Sequence, residues 1–532
     1  MSDYDVVLPR LLRDRANELG DRVFLQEIGG GRHTFAEASR AAQLWSGALL
    51  SLGARRGDHV ASMQPNGMTG IELWFGINGL GGVEVPVHTE YRGRILAHVL
   101  NTVGASVAVV AERFLDRFAD IAGELRALRT IVVSDPTGPL PDLPFTMVSG
   151  PELLAAAAPS EPVDARPRDV STILFTSGTT GASKGVMISY AQVRASTEGG
   201  WPLAHLSADD CNYLMLPGFH ISGKVAVDSM LVVGGRVAIR ERFKTDEFWT
   251  DVHEVGATCA CVMGAMAGFL MAAEPRADDA DNPLDKILLL PLPPYVEEFA
   301  ARFGLRLHTI YNQTEISCPI VSDGFTIGHY TSCGRVRDGY ECRIVDADDQ
   351  PVPVGEIGEL VIRADEPWTM MSGYVGLPEK TVETWRNQWM HTGDAFRADA
   401  DGNYYFVDRF KDVIRRRGEN ISSVEVEDAV NEHPEVLECA AIPVPSEWTE
   451  EEVKVVVVRT PGSALGGREL VDYLLPRMPR FMVPRYVEFA DDLPKTPTQK
   501  VRKAELRELG ITDATWDRDA ARAPSPTTGA TP

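Results

Sequence analysis

Positive charge is scarce in this chain: 52 Lys and Arg stand against 76 Asp and Glu over 532 residues, a formal net charge of -24. Such an exterior repels nucleic acid and anionic lipid, so neither is expected as a partner. A few local cations can still hold a small anion, because whole-molecule charge is screened within about 10 Å. Cysteine is scarce too. The seven Cys are an odd number without a CxxC pair, which excludes a disulfide framework and reads as buried thiols in a reducing compartment. No apolar run approaches the roughly 18 residues of a membrane helix. Arg10, Arg13 and Asp14 fall where a signal peptide would need its apolar stretch. A cytoplasmic protein is expected. Low-complexity bias is also missing, and 44% hydrophobic with 24% charged residues is the balance of a soluble globular chain, long enough for several lobes of roughly 150 residues.

What is present is periodic. Residues 9–19 and 34–53 carry helix-spaced apolar positions, the second opening on Thr34-Phe-Ala-Glu37, a capping-box pattern. Strand-like runs at 59–64, 83–87 and 106–110 alternate with helical segments at 68–79 and 92–103, the βαβα order of a helix-covered parallel sheet. That order recurs over 171–322. From about 330 to 410 short strands and Gly/Asp turns predict a β-rich subdomain. After a boundary at Asp408 to Asp412, the order helix, strand, strand, helix, strand to about 510 predicts a small α+β domain. Residues 511–532 lack apolar periodicity and are expected to form a disordered tail.

One loop carries chemistry on its own. After the apolar run Ser171-Thr-Ile-Leu-Phe175 comes Thr176-Ser-Gly-Thr-Thr-Gly-Ala-Ser-Lys-Gly185, where glycines let backbone N–H groups approach an anion, hydroxyls add donors and Lys184 adds charge. Only ten lysines occur in the chain, which argues that this one is not incidental. Ser183 stands where a Walker A loop requires Gly. Gly181-Ala-Ser-Lys-Gly185 also fits the GxSxG elbow of a hydrolase. That elbow needs its serine directly after the strand, whereas polar and glycine residues separate Phe175 from Ser183.

The remaining candidates are Tyr311-Asn-Gln-Thr-Glu315, Trp389-Met-His-Thr-Gly-Asp394, Asp408-Arg-Phe-Lys-Asp412, Arg415-Arg-Arg-Gly-Glu-Asn-Ile-Ser422 and Leu493-Pro-Lys-Thr-Pro-Thr-Gln-Lys500. Alone, each has an ordinary reading: Glu315 a solvated carboxylate, Asp394 a turn residue, the Arg run an exposed face. Their order is informative. With the Thr176 loop, Val60-Ala-Ser-Met-Gln-Pro-Asn66 and Gly355-Glu-Ile-Gly-Glu-Leu360, they resemble the adenylate-forming (ANL) superfamily over residues 10–510. The nearest likeness is to the carnitine/crotonobetaine-CoA ligase-like branch of acid-CoA ligases.

The resemblance implies an α/β fold: a large N-terminal domain (1–410) of two helix-flanked sheets with a β-barrel-like subdomain, and a small mobile α+β C-terminal domain (411–510). It implies ATP, Mg2+ and coenzyme A acting on a small organic acid, with a homodimer as a possible assembly. Thr176, Ser177, Gly178, Thr179, Thr180, Gly181 and Lys184 match the phosphate loop, and Glu315, with Thr176, the Mg2+ site. Thr314 matches the α-phosphate contact, Tyr311 the adenine-stacking aromatic, and Asn312 and Gln313 its neighbours at the nucleotide. Asp394 matches the acceptor of the ribose hydroxyls, and Arg409 a ribose or phosphate contact. Lys500 matches the lysine that bridges carboxylate and α-phosphate; Lys495 is its rival. Lys411 matches the hinge, His220 a gate between acid pocket and CoA channel, and Gly418, Glu419 and Asn420 the face that admits pantetheine. The Arg415 to Arg417 run then meets CoA phosphates or is plain solvated surface.

Departures from the pattern bear on the substrate. Leu290-Pro-Leu-Pro-Pro294 replaces a glycine-rich strand and removes N–H donors. Asn312 stands for the usual Gly, which its tolerance of left-handed backbone angles would allow. Two other readings compete: an adenylating enzyme whose acceptor is an amine, a carrier-protein thiol or nitrite, and a nucleotide-binding module without catalysis. Intact Glu315, Asp394 and Lys500 argue against the last.

Overall fold

The computed structural model describes residues 7–176, 183–409, 413–416, 419–446, 451–495 and 500–520, with backbone alone at 415, 419 and 420. Two sheets form the large lobe. One runs in the order Gly373–Tyr374, Lys184–Ser189, Val170–Thr176, Val83–Pro86, His59–Met63, Val107–Val110, Thr130–Val133, Thr146–Ser149. The other runs Arg306–His308, Lys286–Leu290, Cys259–Met263, Cys211–Leu214, Arg236–Ile239, Val23–Glu27, Arg32–Thr34. Strands such as Val107–Val110 are buried at every residue, as expected where helices cover both faces of a parallel sheet. The helix Phe35–Ser51 begins with the anticipated capping box, Thr34 and Glu37 bonding reciprocally.

The parallel order breaks at the phosphate loop. Lys184, expected within that loop, opens the strand Lys184–Ser189, which runs antiparallel to Val170–Thr176 with Lys184 opposite Thr176. The two strands are thus the arms of a hairpin, whose register sets Thr176 and Lys184 side by side on one face. On the outer side Gly373–Tyr374 pairs with the same strand.

The β-rich region is a four-stranded antiparallel sheet (Tyr340–Val345, Gly358–Ala364, Met390–Ala398, Tyr404–Arg409) beside a three-stranded one. A bridge between Gly334 and Tyr404 curls the two together, giving the expected barrel-like subdomain. Gly334 has φ 110°, and a Cβ there would lie 2.0 Å from the Val321 carbonyl oxygen, so no side chain fits the seam.

The small lobe builds Val436–Pro445, Glu451–Arg459 and Tyr486–Ala490 into one sheet with Trp516–Asp517 at its edge. This last strand corrects the expected tail. Residues 511–520 are ordered through the Trp516 ring, which packs over Gly467, and through the ion pair of Arg485 with Asp517 at 3.1 Å. Residues 521–532 lie outside the described part. The side chains of Arg415 and Arg417 lie outside the described part, but Arg416 departs from the expected reading: it is buried, donates to the Phe481 carbonyl at 2.6 Å and pairs with Glu452 at 2.7 Å. It therefore neither forms a solvated face nor is free to meet a phosphate. All seven cysteines are free thiols, and no described helix is long and apolar enough to cross a membrane.

Truncating Trp516 to Ala should cost the small lobe about 2 kcal/mol, less than a fully buried ring because this one is half-buried. Chemical denaturation of the variant would measure it, and an unchanged midpoint would return 511–520 to the category of tail.

Candidate active site

A cleft of about 1560 Å3 opens where the two sheets, the barrel-like subdomain and the small lobe meet. This is the crevice beyond strand ends at which helix-covered sheets bind ligands. Thr176, Lys184, His220, Asn312, Gln313, Thr314, Glu315, Arg409 and Lys500 all line it. Residues separated by more than three hundred positions are thus gathered as the motif order implied. Ser177, Gly178, Thr179, Thr180, Gly181, Lys411 and Gly418 lie outside the described residues. Glu419 and Asn420 are placed only by backbone, in a strand pairing with Ile414–Arg416.

Lys500 directly precedes Val501, which is bridged antiparallel to Lys495. Lys500 is partly open to solvent and lines the cleft. Its charged end is crowded by protein, and loss of hydration together with nearby Arg409 lowers its pKa, which Asp394 partly offsets. Lys495 is spent elsewhere, on Glu438 at 2.6 Å.

Behind the cleft wall lies a layer that fixes the nucleotide side. Asp394 is 2% exposed; its Oδ2 accepts from the Tyr311 hydroxyl and from Gln313 Nε2, each at 2.7 Å, and Oδ1 faces Arg409 Nε at 2.9 Å. Burial raises the Asp394 pKa, opposed first by Arg409. Tyr311 is shown here as a buried phenol, edge-on to Phe396, holding Asp394 from behind. Arg409 and Gln313 are the members of this group that reach the cleft, whereas Tyr311 and Asp394 stand behind its wall. Glu359 braces the same turn, accepting from Gly393 N–H at 2.9 Å, from His391 Nδ1 at 3.0 Å and from Arg386 at 3.0 Å.

The left-handed reading of Asn312 is corrected. Its φ is not positive; instead its Oδ1 accepts from the Cys318 N–H at 3.0 Å, and Cys318 is the residue at φ 52°. A side-chain acceptor, not backbone freedom, is what Asn supplies.

Glu315 faces the hairpin. The Tyr374 hydroxyl donates to its Oε1 at 2.8 Å, and the Lys184 ammonium lies 4.5 Å above the Tyr374 ring. Burial lowers the Lys184 pKa while Glu315 raises it. Sequence reasoning missed Tyr374, because nothing in Met371-Ser-Gly-Tyr374 ties it to a Glu fifty-nine positions away; only the pairing of strand Gly373–Tyr374 with Lys184–Ser189 does so. One carboxylate with a nearby Thr176 hydroxyl fits a hard divalent cation that completes its shell with phosphate oxygens and water. Among the described residues no cluster of three or more metal-ligating side chains exists that would form a dedicated cage.

On the opposite side, His220 precedes the helix Ile221–Val233 and packs 5.1 Å from Phe219, itself 4.1 Å from His88. Burial pushes both histidines down to about 4, aided for His220 by Lys500 and for His88 by His220 and Arg117. Both rings are therefore neutral at pH 7. The Glu90 N–H donates to His88 Nδ1 at 3.0 Å, which places the ring proton on Nε2.

The comparisons agree with this architecture. Residues 12–375 match the AMP-binding enzyme family and residues 425–500 the AMP-binding enzyme C-terminal domain. The chain belongs to the family of AMP-binding enzymes. A crotonobetaine/carnitine–CoA ligase of Shigella sonnei (strain Ss046) is 30% identical over 522 residues, 94% of this chain and 100% of that protein. In fold the chain is similar to the anthranilate CoA ligase AuaEII with anthranoyl-AMP, with TM-score 0.85, 24% identity and coverage of 95% and 97% of the two chains. ATP-bound MatB from Rhodopseudomonas palustris gives TM-score 0.84 at 25% identity, covering 94% and 98%; apo MatB, at the same identity and coverage, gives 0.72. Since sequence and coverage are equal, that difference lies in arrangement.

Two predictions follow from the geometry. Tyr374→Phe leaves Glu315 without its hydroxyl donor and should raise the Mg2+ concentration for half-maximal activity about 10-fold, as loss of a ligand's supporting partner does; a magnesium titration of pyrophosphate release reads it. The second concerns acid. Folded His88 and His220 protonate only near 4 while the unfolded chain does so near 6.5, so between these values the unfolded state binds more protons and stability falls as pH falls. Melting of wild type and His88→Gln from pH 7 to 4.5 should show a shallower loss in the variant, and parallel curves would refute the assignment.

Proposed function

We propose that this protein is an AMP-forming acid–CoA ligase: it joins a small or medium organic acid to AMP at the expense of ATP, then passes the acyl group to CoA. The observation that carries the reading is the presence of Lys500, from the small lobe, in the same cleft as Lys184, Thr314, Glu315 and Arg409. A carboxylate attacking a triphosphate brings like charges together, and cations fixed on several sides are what such a step requires.

In the first half-reaction a substrate carboxylate oxygen attacks the α-phosphorus and pyrophosphate departs. Lys184 and the sequence Thr176 to Gly181 hold the outer phosphates, Thr314 the α-phosphate, and Lys500 the oxygens that gather charge at the bond being made. Arg409, backed by Asp394, Tyr311 and Gln313, orients the ribose end. Tyr311, expected to stack on adenine, serves instead behind the wall as the hydroxyl that holds Asp394. Mg2+, when bound by Glu315 and Thr176, neutralises phosphate charge. In the second half-reaction the CoA thiol attacks the acyl carbon and AMP departs. Neutral His220 lets the thiol pass without a competing cation, and the small lobe brings its second face, with Gly418, Glu419 and Asn420, to the pantetheine arm. Residues 1–410 and 411–510 act as two bodies with Lys411 as the turning point, so that Lys500 leaves before the thiol enters.

The test combines a panel with a variant. Mg-ATP and mixed aliphatic and aromatic acids, with and without CoA, should yield AMP and one acyl-CoA by mass spectrometry; AMP without thioester would point to another acceptor. Lys500→Ala should lower adenylation about 10^3-fold while leaving thioester formation from a supplied acyl-adenylate. Equal loss of both half-reactions would refute the two-body scheme.

A further inference from the structure

One polar group in the cleft has no part in the steps above. The helix Ile221–Val233 and its cap place His220, Lys224 and Val227 at i, i+4 and i+7, a single stripe, and all three line the cleft. Lys224 and Glu84 are each 3% exposed, and the ammonium lies 2.5 Å from Glu84 Oε2. It also sits 4.0 Å above the Trp74 ring. The hydroxyls of Ser62 and Thr172 approach the same carboxylate at 3.3 and 3.4 Å. The Trp74 Nε1–H is buried without a partner.

This pair is costly where it stands. Glu84 occupies the strand Val83–Pro86, whose other members are buried and apolar, and a central strand covered on both faces ordinarily carries an apolar residue there. Replacing a buried ion pair by apolar groups is commonly neutral or stabilising, so folding alone does not call for it. Nor is it sealed inside the core, since Glu84, Lys224 and Trp74 all border the cleft alongside apolar Met263, Leu288 and Ile310.

Its chemistry narrows the ligand. A carboxylate with an aromatic face is a box for a cation, but Lys224 already fills it. An incoming cation meets Lys224 and an incoming anion meets Glu84, whereas a neutral hydroxyl can accept from the ammonium or the Trp74 N–H and donate to the carboxylate. Lys224 lies one helical turn, ~6 Å along the axis, beyond His220, a depth spanned by one aromatic ring or a short chain. We infer that Glu84 and Lys224, with Trp74, are specificity-determining residues that select a carboxylic acid bearing a hydroxyl group at its far end. This deepens the ligase reading and rests on it.

The test uses matched acids: benzoate with 4-hydroxybenzoate, hexanoate with 6-hydroxyhexanoate, and hexanedioate and 6-aminohexanoate as charged controls, read by pyrophosphate release. A hydroxylated member should exceed its parent in kcat/KM by about 10- to 100-fold, the scale of a hydrogen bond to a charged group. Removing one partner strands a buried charge, so the decisive variant is the double Glu84→Met/Lys224→Met, with its fold checked by melting. It should reduce that ratio to near unity and leave the KM for ATP unchanged. Parent or charged acids preferred by wild type, or a preference that survives the double change, would overturn the inference while the ligase reading stands. Silence over the whole panel with ATP binding intact would overturn both.

Discussion

A cation that belongs to the small lobe has to work in the cleft of the large one. Lys500 lines the cleft from the small lobe, and loss of hydration there beside Arg409 disfavours its charge. Asp394, held behind Arg409, counters that cost. The carboxylate is thereby coupled to the lysine's charge across the junction between lobes. The links are Tyr311 and Gln313 on one oxygen and Arg409 on the other. A further tie holds the first helix of the small lobe, since Asp408 accepts from the Ser423 N–H at 2.7 Å. The arrangement is nearer that of ATP-bound than of apo MatB.

Both walls of the nucleotide side depend on strand pairing across long sequence separations. Tyr374 supports Glu315 because a two-residue strand adds to the edge of the phosphate hairpin; Asp394 meets Tyr311 because the barrel-like subdomain closes against the strand Ile310–Tyr311. Glu315 and Asp394 are thus each held by a tyrosine hydroxyl far away in sequence. Such support limits how far a ligand residue can drift, and small errors of position are expensive in a reaction between like charges.

Much of the fold could be read from local pattern. Helix spacing, the Thr34 capping box and the apolar strands 59–63, 83–86 and 107–110 are set by nearest-neighbour chemistry, and the structure keeps them. Where tertiary contacts decide, local pattern fails. Lys184 looked like a loop residue because Gly and Ser precede it, yet pairing with Thr176 makes it the start of a strand. Arg416 looked exposed because three arginines adjoin, yet one of them finds Glu452 and leaves water. Trp516 lies in a polar stretch without periodicity, and a single ring over Gly467 is enough to order it. Glu84 was passed over because one acid in a Val-rich run carries no motif. Its meaning appears only when Lys224, 140 positions away, is found beside it.

The scarcity of positive charge acquires its sense in the cleft. Four of the ten lysines line it, and among the described residues its walls carry nine cationic side chains against six carboxylates. A molecule of net charge -24 thus concentrates cations where anions must meet. The rest of the surface repels nucleotides weakly, so the field falls off from the cleft instead of spreading over patches that would hold ATP unproductively. Within that field the Glu84–Lys224 pair is neutral as a unit. It leaves the electrostatics of the phosphate side undisturbed and can vary with the substrate's far end without weakening the site that performs the chemistry.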